Sequence, residues 1–156
     1  MTTQCGDRLI DNGKKFWVKP FPLYQLGDQW CTVKIGGTEK RRFAVDCTAN
    51  WKGYYATWTI ENERLYLTAF SALDLAHNKL TIEDVFGTSR LFAFWYTGDI
   101  LASMGKHLYG MFNPTYEQNQ IWRLEHGVVK ERFIRTNDTP GDFEKAANFV
   151  NWTDQL

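Results

Sequence analysis

"CTANWKGYYATWTIENERLYLTAF", residues 47–70, decides how this chain is read. It concentrates Trp51, Tyr54, Tyr55, Trp58, Tyr66 and Phe70 around the pair Asn62–Glu63. Taken as a two-residue hairpin turn, that pair sets Ile60 opposite Leu65, Trp58 opposite Leu67 and Ala56 opposite Ala69, all on one side of the ribbon. The other side then joins Glu61 to Arg64, Thr59 to Tyr66 and Thr57 to Thr68. Cross-strand pairs of these kinds contribute roughly 0.2–1 kcal/mol each. A slip of one residue would mix the faces, so the register is specified.

Working outward, "KKFWVK" (14–19), "QWCTVKI" (29–35) and "KRRFAVD" (40–46) read as strands, with Pro20 and Pro22 breaking the first run and Gly36–Gly37 as a hairpin signal. "RLFAFWYTG" (90–98) is apolar on both faces, which predicts a central strand covered on both sides. "DILASMGKHLYGMF" (99–112) predicts a short strand, a turn at Gly105 and a linking loop. "QIWRLEHGVVKERFI" (120–134) predicts a second hairpin turning at His126–Gly127. It echoes the first, "WTIENERL" against "WRLEHGVV", 64 residues on.

Two helices are expected. Thr81 can N-cap a short one over "TIEDVF", with Asp84 three residues on. Asp142 can cap a C-terminal one within 139–152, where Phe143, Ala146, Ala147 and Val150 make a stripe. The expectation is a single domain, 1–156. It is mainly β and antiparallel, a partly open barrel or bent sheet, with a C-terminal helix and one short internal helix. A two-sheet sandwich is the alternative.

Composition narrows the function classes. Lys plus Arg and Asp plus Glu number 18 each, so no net field steers the chain toward nucleic acid or anionic membrane. Three cysteines, Cys5, Cys31 and Cys47, give no disulfide framework and no zinc spacing. The first residues lack the apolar run of a signal peptide, and a cytoplasmic location is expected. The high aromatic share, 16%, suits strands and interface anchors alike.

"TANWKGYYATWTIENERLYL" resembles a pattern that recurs in a family of uncharacterised small bacterial proteins, T-x-x-W-[RK]-G-Y-x-A-x-W-x-I-x-x-x-x-L-Y-L. "AFWYTGDILASMGKHL" and "NPTYEQNQIWRLEHGVV" look like later segments of the same group. The resemblance covers roughly residues 47 to 130. It implies a shared fold and supplies no reaction.

Candidate chemistry is sparse. Asp99 and Glu117, each after an aromatic segment, are the best of the strand-end acids for a glycosidase-type carboxyl pair. His77, His107 and His126 are scattered and share no metal-ligand spacing. Ser71, Ser89 and Ser103 lack a nucleophile-elbow setting, and Cys47 could be a thiol nucleophile or a buried small residue. No cofactor is expected.

The leading expectation is therefore not an enzyme but a protein-binding module. Its most concrete form is an inhibitor or immunity-type protein blocking a toxin or enzyme. Trp51, Lys52, Tyr54, Tyr66, Asp99, Tyr116 and Glu117 are the candidate partner-binding residues. The alternatives are a small-molecule-binding barrel with a cavity lined by Trp58, Trp95 or Phe94, and a carboxylate-dependent hydrolase.

Overall fold

Asn62 and Glu63 both take positive φ, 50° and 61°, the backbone that a tight two-residue hairpin turn needs. They join β5 (Tyr54–Glu61) to β6 (Arg64–Leu73). Glu61, Ile60, Thr59 and Trp58 pair with Arg64, Leu65, Tyr66 and Leu67, as the residue types demand. Beyond Trp58 the ladder departs from the expected register. A bulge places Thr57 opposite Ala69 and Ala56 opposite Phe70. Ala69 faces solvent and Phe70 is 6% exposed. Burying a phenyl ring instead of a methyl group is the gain that the bulge brings.

The computed structural model describes residues 6–45, 49–109 and 115–137, with 106–109 and 115 described by backbone alone. The C-terminal helix expected over 139–152 lies outside the described residues, as do Asp46 and Cys47.

A second hairpin joins β10 (Thr115–Glu125) to β11 (Val128–Thr136) about His126–Gly127. Its turn meets the turn of the first. Val128 pairs with Arg64, the Leu65 N–H donates to Gly127 O at 2.9 Å, and the Val129 N–H donates to Glu63 O at 2.7 Å. The two segments that echo one another in sequence thus bond directly at their turns.

β1 (Asp7–Asp11) and β2 (Lys14–Lys19) complete the ring. β2 pairs with β9 (Gly98–Tyr109), and β1 pairs with β5. The circuit β11-β10-β9-β2-β1-β5-β6 is a closed barrel of seven strands. The pairings are antiparallel except β1 with β5, which is parallel. Closure leaves no open edge in the ring. β7 (Lys79–Thr81) and β8 (Leu91–Phe92) add to the outside of β6. β3 (Thr32–Ile35) and β4 (Thr38–Arg41) form a separate hairpin, preceded by short 3-10 helices at Pro22–Leu26 and Gln29–Cys31. The internal helix α1 (Ile82–Phe86) forms with the expected Thr81 cap: the Asp84 N–H donates to Thr81 Oγ1 and the Thr81 N–H to Asp84 Oδ2.

Side chains fill the barrel. Leu9, Trp58, Leu65, Leu67, Ile100 and Trp122 are at most 1% exposed. Seven strands enclose about the width that side chains alone can occupy.

Four expectations need correction. Residues 90–98 are not a central strand. β8 is two residues long, the chain then turns through Phe94 and Trp95, and Phe94 is 59% exposed. The Tyr96 N–H donates to Ala93 O at 3.0 Å, which closes that turn. Gly105 is not a turn. β9 runs through it, and Gly105, at φ 79°, marks a bulge opposite Glu117. Residues 29–31 are 3-10 helix, and strand structure begins at Thr32. β4 ends at Arg41, after which Phe43 turns into the core.

Candidate functional site

Alternation along β5 sends Tyr54, Ala56, Trp58 and Ile60 inward. Tyr54 is the first of these and stands at the mouth of the barrel. Phe43 crosses it, with ring centroids 6.4 Å apart, and Trp30 from the second 3-10 helix packs against both, at 5.7 Å from Phe43 and 5.4 Å from Tyr54. Gly53 permits the crossing: its φ is 79°, and a Cβ there would approach Phe43 Cβ to 3.1 Å. Phe70 and Phe86 extend the aromatic wall behind Trp30.

Beside this wall opens a cleft of about 480 Å3. Leu23, Trp30, Phe43 and Tyr54 give it apolar surface, and Arg41, Lys52 and Asp28 supply charge. The Lys52 side chain is only 3% exposed. Its Nζ donates to Asn50 Oδ1 at 2.8 Å, lies 4.9 Å from the Phe21 ring and 5.1 Å from the Tyr54 ring, and is 3.9 Å from Asp7 Oδ1. Arg41, at the rim, donates from Nη2 to the carbonyl of Trp51.

Polar atoms under the cleft are not all satisfied. Trp30 Nε1 and Tyr54 Oη are buried without a hydrogen-bond partner among the described residues, as are Asp7 Oδ1 and Asn50 Nδ2. Such atoms ordinarily find partners, so a cluster of them calls for an explanation. Burial holds the Tyr54 hydroxyl well above the usual phenol range, with the Asp7 charge adding to it, so at neutral pH this group is an O–H donor. Burial, then Asp28, raises the Cys31 thiol as well, which favours its neutral form. Burial pushes the Asp7 carboxyl up to about 7, against the pull of the Trp58 N–H bond and the Lys52 charge.

The residues expected to bind a partner do not form one face. Trp51 is 57% exposed at the mouth. Lys52 and Tyr54, expected outside, are inside, because β5 begins with Tyr54 in the inward register. Tyr66 is half-buried on the outer wall under the Arg90 guanidinium, 3.9 Å away. Asp99 forms a two-point ion pair with Arg123, at 3.0 and 3.1 Å. Tyr116 and Glu117 lie half-buried near the start of β10, and their carbonyls accept from Asn137.

Asp99 and Glu117, the carboxyl pair expected for a glycosidase, do not converge. Asp99 sits opposite Arg123, six residues along β10 from Glu117. At roughly 3.3 Å per residue that is about 20 Å, and the chemistry needs about 5–10 Å. Of the residues expected to line a cavity, Trp58 is fully buried in the core, Trp95 donates its N–H to Pro22 O at 2.9 Å, and Phe94 is exposed.

Sequence reasoning missed Asp7, Trp30, Arg41 and Phe43 as residues of this region. The signal for Asp7 was "DRLID", whose period of two marks a strand with both acids on one face. Among the described residues no helix is long and apolar enough to cross a membrane, and no three His, Cys, Asp or Glu side chains are placed to hold a metal ion. Comparison of the chain with protein-family models, curated proteins and solved structures found no match.

Proposed function

We propose that this barrel is a binding protein, without catalysis, for a small and largely aromatic molecule held in the cleft at its mouth. One observation carries the reading. The cleft is walled by Trp30, Phe43 and Tyr54, and two of those three rings bury a polar atom with no partner among the described residues. Each such atom costs about 1–3 kcal/mol when left unmade. A ligand that parts the wall and brings an acceptor to them recovers that cost, and aromatic walls with a few convergent polar groups are the usual makeup of small-molecule sites. The test is a titration of the purified protein with N-phenylnaphthylamine and its sulfonated analogue, read by dye fluorescence. Saturable binding of at least one dye, weakened by Trp30→Leu, is expected. No saturable binding of either overturns the reading.

A second reading rests on a different observation. Trp17 is 60% exposed on β2 beneath the Arg8 guanidinium, 5.0 Å from it, and Tyr55 on the outer face of β5 is 45% exposed. Exposed aromatics beside an arginine are typical anchors for a macromolecular partner, an inhibited toxin or enzyme included. Co-purification of one defined protein with the wild type, lost on Trp17→Ser with Tyr55→Ser while thermal stability holds, supports this reading. Retention of that protein by the double variant removes it.

A further inference from the structure

The charged groups at the mouth cleft bear on the charge of what fits there. Trp30 Nε1 can only donate. The Tyr54 hydroxyl is held in its O–H form by burial. Lys52 and Arg41 are cations, and a guanidinium or ammonium has no acceptor to offer. Asp28, which is exposed, is the one carboxylate among the residues that line the cleft, and the Tyr24 and Thr32 hydroxyls there can donate or accept. The buried Asp7 carboxyl, 3.9 Å from Lys52 and raised to about 7, offsets the Lys52 charge only in part near neutrality. Lys52 stands between aromatic rings with its side chain almost wholly covered, where an ionic contact is weakened little by solvent.

From this geometry, and resting on the ligand-binding reading above, we infer that the cleft selects an aromatic anion: a ring or fused-ring molecule carrying a carboxylate or sulfonate. The ring lies against Trp30, Phe43 and Tyr54. The acidic group is directed to Arg41 at the rim and toward the covered Lys52 ammonium. A neutral ring of the same shape gains the wall contacts and forgoes the charged ones, and an aromatic cation meets two like charges.

Two dyes that differ by one group make the test. Anilinonaphthalene sulfonate carries the anion, and N-phenylnaphthylamine is the same skeleton without it. Affinities are measured by fluorescence titration on the intact chain, with near-UV circular dichroism and a cooperative thermal transition as checks that the dye meets folded protein. The sulfonate is expected to bind roughly tenfold or more tightly than the neutral dye. Arg41→Gln, at the exposed rim, is expected to weaken the sulfonate several-fold and leave the neutral dye unchanged. Lys52→Met is expected to do the same more strongly. Should that variant fold poorly, Arg41→Gln decides alone. Equal affinities for the two dyes, or loss of both together in Arg41→Gln, would overturn the inference and leave the ligand-binding reading standing. Failure of both dyes to bind removes that reading, and the inference with it.

Discussion

The indole N–H of Trp58 donates to Asp7 Oδ2 at 2.9 Å, across 51 residues of chain and in the full interior of the barrel. The contact has a counterpart: Trp122 donates to Asp11 Oδ2, also at 2.9 Å. Both tryptophans occupy the equivalent place in the two echoing hairpins, and both acids lie on the inward face of β1, four residues apart. β1 is thus bonded through side chains to each half of the barrel it separates. The two acids differ in their second oxygen. Asp11 Oδ1 accepts from Arg132 Nη2 at 3.2 Å, whereas among the described residues Asp7 Oδ1 has only the Lys52 ammonium, 3.9 Å off.

That difference predicts opposite responses to pH. Burial, outweighing the Trp58 bond and the Lys52 charge, raises the Asp7 carboxyl from 3.8 to about 7. Between these values the folded chain holds a proton that the unfolded chain has released. Stability therefore falls as pH rises through this window, with a limiting slope of about 1.4 kcal/mol per pH unit from this group. Asp7→Asn keeps an acceptor for Trp58 and removes the titration. Urea midpoints measured between about pH 4 and 8 should show the variant gaining on wild type as pH rises. Parallel curves would mean that Asp7 is not the titrating group.

Trp58→Phe should cost more in alkaline than in acid solution. The phenyl ring leaves Asp7 Oδ2 without its donor, and a bond to an ionised acceptor is worth about 1.5–3 kcal/mol against about 0.5–1.5 for a neutral one. Above about pH 7 the Asp7 carboxyl is charged, so the loss should exceed that at pH 5 by about 1 kcal/mol. Denaturant unfolding at the two pH values measures it. A cost independent of pH would assign the whole effect to the cavity left by the smaller ring.

Arg132→Met tests the other acid. Burial raises the Asp11 carboxyl, but bonds from Arg132 and Trp122 outweigh that and the net displacement is downward. A depressed carboxyl stabilises the fold above its unfolded value of 3.8 and loses that contribution as pH falls through the folded value. Arg132 also bonds Glu63 at 2.6 Å, so its guanidinium ties β11 to β1 and to the first hairpin turn. The variant should be destabilised by on the order of 1–3 kcal/mol near neutrality, and its acid unfolding should begin at a higher pH. An unchanged acid midpoint would show that Asp11 draws its stabilisation elsewhere.

What could be read from the residues follows chemical contrast. The first hairpin was legible because apolar and polar positions alternate cleanly from Ala56 to Glu61. The bulge was not, because Ala69 and Phe70 are both apolar and only packing chooses between them. β1 escaped notice because two of its three inward residues are acids, which inverts the usual pattern. Residues 90–98 misled for the opposite reason: a turn that covers β6 and packs Ala93 and Tyr96 inward is as apolar as a central strand. The mouth cleft depends on Trp30 and Phe43 arriving beside Tyr54 from distant segments, a meeting that no local pattern records.

Barrel closure can be tested at one atom. Gly127 turns at φ 78°, and a Cβ there would lie 2.4 Å from Ala93 O and 2.8 Å from Ala93 C, both backbone atoms that cannot swing aside. Gly13 has the same φ of 78° in the β1–β2 turn, with nothing within 4 Å of the added carbon. Alanine at either site meets the left-handed backbone cost of about 1–2 kcal/mol. The clash belongs to Gly127 alone, where the Gly127 N–H bonds Tyr96 O of the neighbouring turn and Gly127 O accepts from Leu65, the bond that joins the two hairpins. Gly127→Ala should therefore lose about 2 kcal/mol or more beyond Gly13→Ala. Its amide protons at Leu65 and Val129 should exchange with solvent faster than in Gly13→Ala, since both span the seam. Equal stabilities and equal exchange at those two amides would mean that the barrel does not depend on the meeting of its two turns.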